Sequence, residues 1–110
     1  MLPKLFHQEP ALAFISKRDG RAQIYIQQGE NTAQAISAFE KYKVFGNLDI
    51  SLDDTQLLAT EANRVHIFEL KNTTKTPKLS TIYLDSRVRS AVWLRKDVIA
   101  VTHYDFNQSL

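Results

Sequence analysis

The chain has 110 residues and a mass of 12.6 kDa, which is enough for one small domain with a single hydrophobic core. Its 44% hydrophobic and 24% charged residues are typical of a globular protein, and the absence of cysteine excludes disulfides and thiolate metal sites. The 14 basic and 12 acidic residues nearly balance, unlike those of a strongly basic nucleic-acid-binding domain. No apolar run reaches the roughly 20 residues of a membrane span, and we expect no signal peptide in residues 1–10.

The first part of the chain predicts two strands and an ambiguous segment. Leu12–Ser16 and Gln23–Gln27 are rich in apolar residues and are separated by a polar turn. Residues 28–32 contain Gly and Asn, which favour a second turn. Residues 33–43 (AQAISAFEKYK) contain many helix formers but match a strand-like segment further along the chain, so we predict a strand there, with an amphipathic helix as the alternative.

The second part of the chain repeats this order of strand-like segments and polar turns. The residues from Arg64 to Leu70 alternate well between the two faces of a strand. Asp53 and Asp54 lie in a polar turn, where an Asp side chain can accept a nearby backbone N–H. The predicted strands are Leu48–Ile50, Leu57–Glu61, Arg64–Leu70, Leu79–Leu84, Val92–Leu94 and Val98–Thr102.

An internal repeat organises these segments. Ala13, Ala59 and Ala100 lie in similar apolar runs at separations of 46 and 41 residues, and flanking segments such as Leu48–Ile50 and Val92–Leu94 match at an offset of 44. A period in the forties is typical of repeated units of about four strands. We therefore predict one domain over residues 1–110, with units at 11–44, 45–88 and 89–110, the last of them incomplete.

The first unit resembles a known family. Residues 11–26 (ALAFISKRDGRAQIYI) are similar to the repeat of TolB-like β-propellers, roughly "IAFxSxRDGxxQIYxM". That family has a "WSPDG" turn before the apolar strand, and residues 50–54 (ISLDD) and 93–97 (WLRKD) are degenerate versions of it. The resemblance implies an all-β fold of antiparallel four-stranded blades around an axis, of which this chain holds about two and a half.

The resemblance implies a function less directly than a fold. The family includes TolB, the propellers of prolyl-oligopeptidase-type enzymes, and the periplasmic parts of CadC-like, membrane-anchored transcriptional regulators. It implies a non-enzymatic sensor or protein-interaction segment, such as the signal-receiving part of a CadC-like regulator, and a periplasmic location. The alternatives are an accessory segment of a prolyl-oligopeptidase-type hydrolase, and a small two-layer β protein in which the repeats are coincidental.

The residues themselves give no catalytic, metal or cofactor site. There is no cysteine and no GxSxG motif around an activated serine. His7, His66 and His103 lack the spacing of metal ligands, and neighbouring carboxylates in a turn, such as Asp53 and Asp54, normally diverge into water. We therefore predict that the chain is not an enzyme and binds no cofactor.

Four basic residues form the candidate interaction surface. Arg87, Arg89, Arg95 and Lys96 flank Trp93, which stands at the core-facing Trp position of the resembled family. Basic side chains around an aromatic residue favour an anionic partner. The alternative is a solvated rim around a strand, and we predict no nucleic-acid contact by this segment.

Incomplete repeats predict association, because we expect the unmatched blade faces and strand edges to bind a protein partner or a second copy of the chain.

The repeats also predict a core, made of residues at matching places in the units. The predicted core residues are Phe14, Ile24, Ile26, Leu58, Ile67, Trp93 and Ile99.

Overall fold

The structure, a computed structural model, describes residues 3–18, 20–41, 43–70 and 77–104. These residues form ten β-strands and contain no helix. The strands are β1 (Lys4–Leu5), β2 (Ala11–Ser16), β3 (Gln23–Gln28), β4 (Gln34–Ala35), β5 (Phe45–Ile50), β6 (Gln56–Glu61), β7 (Arg64–Glu69), β8 (Lys78–Tyr83), β9 (Val88–Arg95) and β10 (Val98–His103).

The strands form three antiparallel sheets in chain order. The first sheet is β1-β2-β3-β4, the second is β5-β6-β7-β8, and the third is the hairpin β9-β10. Every hydrogen-bonded pair of strands is antiparallel. The prediction of an all-β fold with four-stranded antiparallel sheets is therefore confirmed.

The ambiguous segment at 33–43 forms only a two-residue strand. β4 pairs with Tyr25 and Ile26 of β3, and the bonding continues one residue further, where the Ile36 N–H donates to the Ile24 carbonyl at 2.8 Å. Beyond that point the Gln23 side chain replaces a strand, because its amide donates to the Phe39 carbonyl and accepts from the Phe39 N–H. The buried Gln23 side chain thus takes the backbone hydrogen bonds of the segment where the β3–β4 ladder stops. The described residues of this segment form no helix.

Two apolar clusters hold the three sheets together. The first lies between the first and second sheets and joins residues such as Ala13 and Ile24 to Leu57 and Phe68. The second lies between the second and third sheets and joins Leu58 and its neighbours to the third sheet. Because the second sheet is covered on both faces, all six residues of its strand β6 are buried.

The sheets stack head to tail in chain order. The first sheet packs on one face of the second, and the third sheet packs on the other face. In β6, Leu57 and Ala59 belong to the cluster shared with the first sheet, whereas Leu58 belongs to the cluster shared with the third. Successive strand residues point to opposite faces, so this division follows from the pleat. In the third sheet, the residues that pack on the second sheet are Val88, Ala91, Trp93, Ile99 and Val101.

Strand pairing displaces the repeat alignment by one residue. The turns that close β1–β2 and β5–β6 have equal length, since Phe6 bonds Ala11 and Ser51 bonds Gln56 through backbone groups. Ala13 therefore corresponds to Leu58 rather than to Ala59. A shift of one residue moves every side chain to the other face of a strand, which is why Ala13 faces the following sheet and Ala59 the preceding one.

The predicted core is correct in part. Ile24 and Leu58 are fully buried. The other five predicted core residues are half-buried, because they lie on outer faces or next to sheet edges where one layer of neighbours is missing. These five are Phe14, Ile26, Ile67, Trp93 and Ile99.

Candidate functional site

The four predicted surface residues are all exposed, but they do not form one patch. Arg87 and Arg89 lie at the start of β9, and Arg95 and Lys96 lie at the turn between β9 and β10. At about 3.4 Å per residue, the two pairs stand roughly 20 Å apart. The structure therefore places two basic groups at opposite ends of one strand.

An apolar strip lies between these two basic groups. Val92 and Leu94 of β9 are 43% and 61% exposed, on the face of the third sheet that points away from the second. Ala100 pairs with Val92 on this face, and the hydroxyls of Ser90 and Thr102 lie 2.9 Å apart beside them. We call this surface, Ser90, Val92, Leu94, Ala100 and Thr102, the open face.

The inner edge of β9 is held by polar side chains from β5. The Asn47 side-chain Nδ2 donates to the Ala91 carbonyl at 2.8 Å, and the Ala91 N–H donates to the Asn47 side-chain Oδ1 at 3.1 Å. Asp49 accepts the N–H of Trp93 at 2.7 Å. These contacts satisfy backbone groups that would otherwise be an unpaired strand edge, and they fix the third sheet against the second.

The outer edge of β10 has no strand beside it among the described residues. The corresponding strands of the other sheets, β2 and β6, pair along this edge with β3 and β7 over six residues each. Within the described chain the third sheet has only β9 and β10. The backbone groups along the outer side of β10 are therefore a second candidate interaction surface.

The outer face of the first sheet differs from the open face of the third. Phe14 and Tyr25 stack with ring centroids 5.7 Å apart. The Arg18 guanidinium lies over both rings, 5.6 Å from the Phe14 centroid and 4.5 Å from that of Tyr25. A cation placed over two aromatic rings covers apolar surface and keeps its charge in water.

A buried polar cluster lies in the second sheet around Glu61. Its carboxylate accepts from the Arg64 guanidinium at 2.9 Å and from His66 Nε2 at 3.0 Å, and Lys43 Nζ lies 3.5 Å away. The other ring nitrogen of His66 lies 3.0 Å from the Thr81 hydroxyl. No sequence motif marks this cluster, because its members are spread over residues 43–81.

The environment of the cluster shifts two pKa values downward. Burial, helped by the charges of Lys43 and Arg64, lowers the pKa of His66 by more than the hydrogen bond and the charge of Glu61 raise it. Burial alone would raise the pKa of Glu61, but the His66 hydrogen bond and the charges of Lys43 and Arg64 hold it below its usual value. Near neutral pH the cluster therefore pairs an ionised Glu61 with a neutral imidazole.

Glu61, His66 and Thr81 are arranged in the carboxylate–imidazole–hydroxyl order of a catalytic triad. However, the imidazole between the other two groups is covered by the protein. His66 is buried, and the Phe39 ring lies over it at 5.1 Å between centroids. Phe39 and Lys43 belong to the segment that joins the first and second sheets. The cluster thus anchors this connecting segment to the second sheet.

The two neighbouring aspartates of the β5–β6 turn have different roles. Asp53 accepts from the Thr55 hydroxyl at 2.7 Å, from the Thr55 N–H and from the Ser51 hydroxyl, and these bonds lower its pKa to about 2. Asp54 instead reaches the β1–β2 turn and accepts the backbone N–H groups of His7, Gln8 and Glu9. They are not an acid–base pair.

The other two histidines and one cavity lie outside these clusters. His7 Nε2 lies 3.0 Å from the Ile50 carbonyl, and His103 is exposed. Within the described ranges, no group of three or more His, Asp or Glu side chains could hold a metal ion. A cavity of about 240 Å³ lies between the end of β2 and the start of β5, and Ile15, Ser16, Lys43 and Phe45 contribute to its lining.

None of the described residues forms a helix with the length and apolarity that crossing a membrane requires. Comparison of the whole chain with protein-family models, curated proteins and solved structures gives no match.

Proposed function

We propose that the chain is a non-enzymatic protein-interaction module of the β-propeller type, which binds an acidic partner on the open face of its third sheet. In this proposal the three sheets are successive blades. Their head-to-tail stacking, with the same order of faces at both sheet–sheet contacts, supports the blade interpretation. The resemblance of residues 11–26 to the TolB-like repeat supports it independently.

The observation that carries the proposed function is the combination of an exposed apolar strip and a basic group at each end. Val92 and Leu94 expose apolar surface that a partner would bury. Arg87 and Arg89 at one end, and Arg95 and Lys96 at the other, favour a partner that carries negative charge. By the resemblance to the TolB-like repeat, we further propose that the module is the signal-receiving part of a CadC-like regulator in the periplasm.

A designed peptide tests this proposal. The probe is a fluorescent eight-residue peptide of alternating Glu and Val, and the matched control has Lys in place of Glu. We expect the Glu peptide to bind and the Lys peptide not to bind, with affinity that falls as salt rises. Binding is measured by fluorescence anisotropy.

Two charge reversals locate the binding surface. Arg95→Glu combined with Lys96→Glu should weaken binding of the Glu peptide by about tenfold or more, because each reversal turns an attraction into a repulsion. Arg21→Glu, at an exposed position in the first sheet's long turn, is the control and should leave binding unchanged. Equal binding of both peptides, or equal effects of both charge changes, would contradict the proposal.

A further inference from the structure

We propose that two copies of the chain pair edge to edge through β10, antiparallel about a two-fold axis at Ala100, and so form one four-stranded sheet. This inference shares one point with the proposed function, namely that an interface lies on the third sheet. It uses the strand edge, whereas the proposed function uses the open face. The partner here is a second copy of this chain.

The hydrogen-bond register shows which backbone groups the outer edge of β10 presents. Ala91 and Trp93 direct their N–H groups to β5 side chains and therefore away from β10. Their partners across the β9–β10 ladder are Val101 and Ile99. In an antiparallel ladder such residues form non-hydrogen-bonded pairs, so the N–H and C=O groups of Ile99 and Val101 point to the outer edge.

That edge is complementary to itself. If two β10 strands run antiparallel with Ala100 opposite Ala100, Ile99 of each copy lies opposite Val101 of the other. Each of these two pairs exchanges two backbone hydrogen bonds, which gives four bonds between the copies. Paired residues then share a face, so Ile99 and Val101 stay on the side that packs on the second sheet, as in the single chain.

The edge strands β1, β4 and β8 carry features that oppose edge pairing, and β10 carries none of them. β1 and β4 have two residues each, and β8 follows Pro77 and begins with Lys78. Short strands, Pro and Lys are the usual means of preventing edge pairing. β10 has six residues and contains no Pro and no Lys, Arg, Asp or Glu.

The pairing also gives the third sheet the size of its neighbours. Two hairpins joined at β10 make a sheet of four strands, equal to the first and second sheets. The open faces of the two copies become one continuous apolar surface centred on the two Ala100 side chains. Closed two-fold contacts of this kind stop at the dimer and do not extend into fibres.

Sedimentation velocity over about 10–500 µM protein measures the association, and a single cysteine identifies the surface. The chain has no cysteine, so Ala100→Cys introduces the sole thiol. Directly opposed Cβ atoms on paired strands lie about 4.5–5.5 Å apart, close enough for a disulfide after a small adjustment. We expect Ala100→Cys to form a covalent dimer on mild oxidation, and Leu52→Cys, at an exposed position in the β5–β6 turn, to remain largely monomeric.

A proline at the edge tests the hydrogen bonds themselves. Val101→Pro removes an outward N–H but no bond to β9, so the hairpin is kept while two of the four intermolecular bonds are lost. We expect its dimer dissociation constant to rise by about tenfold or more. Val101→Ala, which loses packing but keeps the N–H, is the matched control and should dimerise more strongly than the proline variant.

The outcomes separate this inference from the proposed function. A chain that stays monomeric at about 500 µM in sedimentation velocity overturns the β10 interface. Equal yields of disulfide-linked dimer from Leu52→Cys and from Ala100→Cys overturn it as well. Binding of the Glu peptide to the open face does not depend on either result. Failure of the unsubstituted chain to bind the Glu peptide, together with a disulfide-linked Ala100→Cys dimer, overturns the proposed function alone.

Discussion

The carboxylate of Asp54 lies 2.6 Å from the backbone nitrogen of Gln8, so a turn of the second sheet binds a turn of the first. The same carboxylate accepts the N–H of His7 at 2.7 Å and that of Glu9 at 3.2 Å. Three successive N–H groups around one carboxylate form an anion-binding concavity of backbone dipoles. This contact joins two turns whose bonded residues are 45–47 positions apart in the chain.

Replacing Asp54 should therefore weaken the contact between the first two sheets. Asp54 has a φ of 61°, which Gly adopts without strain, so Asp54→Gly removes the carboxylate and relieves the backbone. We expect a loss of about 1–3 kcal/mol in the free energy of unfolding, since hydrogen bonds to a charged group are lost. Urea denaturation measures it.

Asp97 provides a matched control for this substitution. It occupies the β9–β10 turn with a φ of 62°, but its carboxylate makes no hydrogen bond to the described part of the chain. Asp97→Gly should leave stability unchanged or raise it slightly. Equal losses in the two variants would show that the backbone conformation, and not the three N–H bonds, sets the effect.

Asn47 should control the attachment of the third sheet. Asn47→Ala removes both bonds to Ala91 and leaves its backbone groups unpaired. We expect amide hydrogen exchange in β9 and β10 to accelerate by about tenfold, while exchange in the first sheet is unchanged. Asn63→Ala, which removes a bond within the second sheet to Leu84, is the control. Equal acceleration in all three sheets would contradict a local role.

Trp93 should contribute through packing and not through its N–H. Its indole nitrogen is buried with no hydrogen-bond partner in the described ranges. Trp93→Phe should therefore cost less than about 1.5 kcal/mol, whereas Trp93→Ala should cost about 2–4 kcal/mol in urea denaturation. A loss of more than about 3 kcal/mol in the phenylalanine variant would mean that the indole N–H is bonded in solution.

Acid should destabilise the protein through the Glu61 cluster. The pKa of His66 is lower in the folded chain than its ordinary 6.5, so the unfolded chain binds the proton first and stability falls as the pH drops below about 6.5. The pKa of Glu61 is below its ordinary 4.5, and its contribution is lost as the pH falls through the folded-state value. Both effects have the same sign.

A histidine substitution separates the two contributions. His66→Asn should lower stability at pH 7 and flatten its pH dependence below about pH 6.5, because the titrating group is gone. Thermal denaturation as a function of pH measures both, and an unchanged slope in the His66 variant would assign the acid sensitivity to other groups.

The sequence predicted strands well where the residues alternate or form short apolar runs. β6, β7 and β10 appear within one residue of the predicted bounds, because their side-chain patterns match the strand period. β1 was not predicted, since two residues carry no periodicity. The short β4 depends on the Gln23 side chain, a contact between distant residues that no local pattern reveals.

The candidate site was predicted less completely than the fold. The exposure of the four basic residues follows from their charge, but their separation to the two ends of β9 depends on the strand's length. The open face could not be assigned, because the displaced repeat alignment assigns side chains to the wrong side of the sheet. Asn47 and Asp49 are ordinary polar residues in a strand, and only the packing of β9 against β5 reveals what they bind.

The head-to-tail order of the sheets also determines how the molecule responds to force. Within the described residues, the first sheet packs on the second and the second packs on the third through the two apolar clusters. Among the described strands, β10 lies nearest the C-terminal side, and we expect tension on it to open its bonds to β9 one after another, because these bonds run perpendicular to the strand. Resistance rises only when the second sheet is reached, because β6 is buried on both faces. We therefore expect the third sheet, where the proposed interfaces lie, to open at the lowest force, and a partner bound there to raise that force.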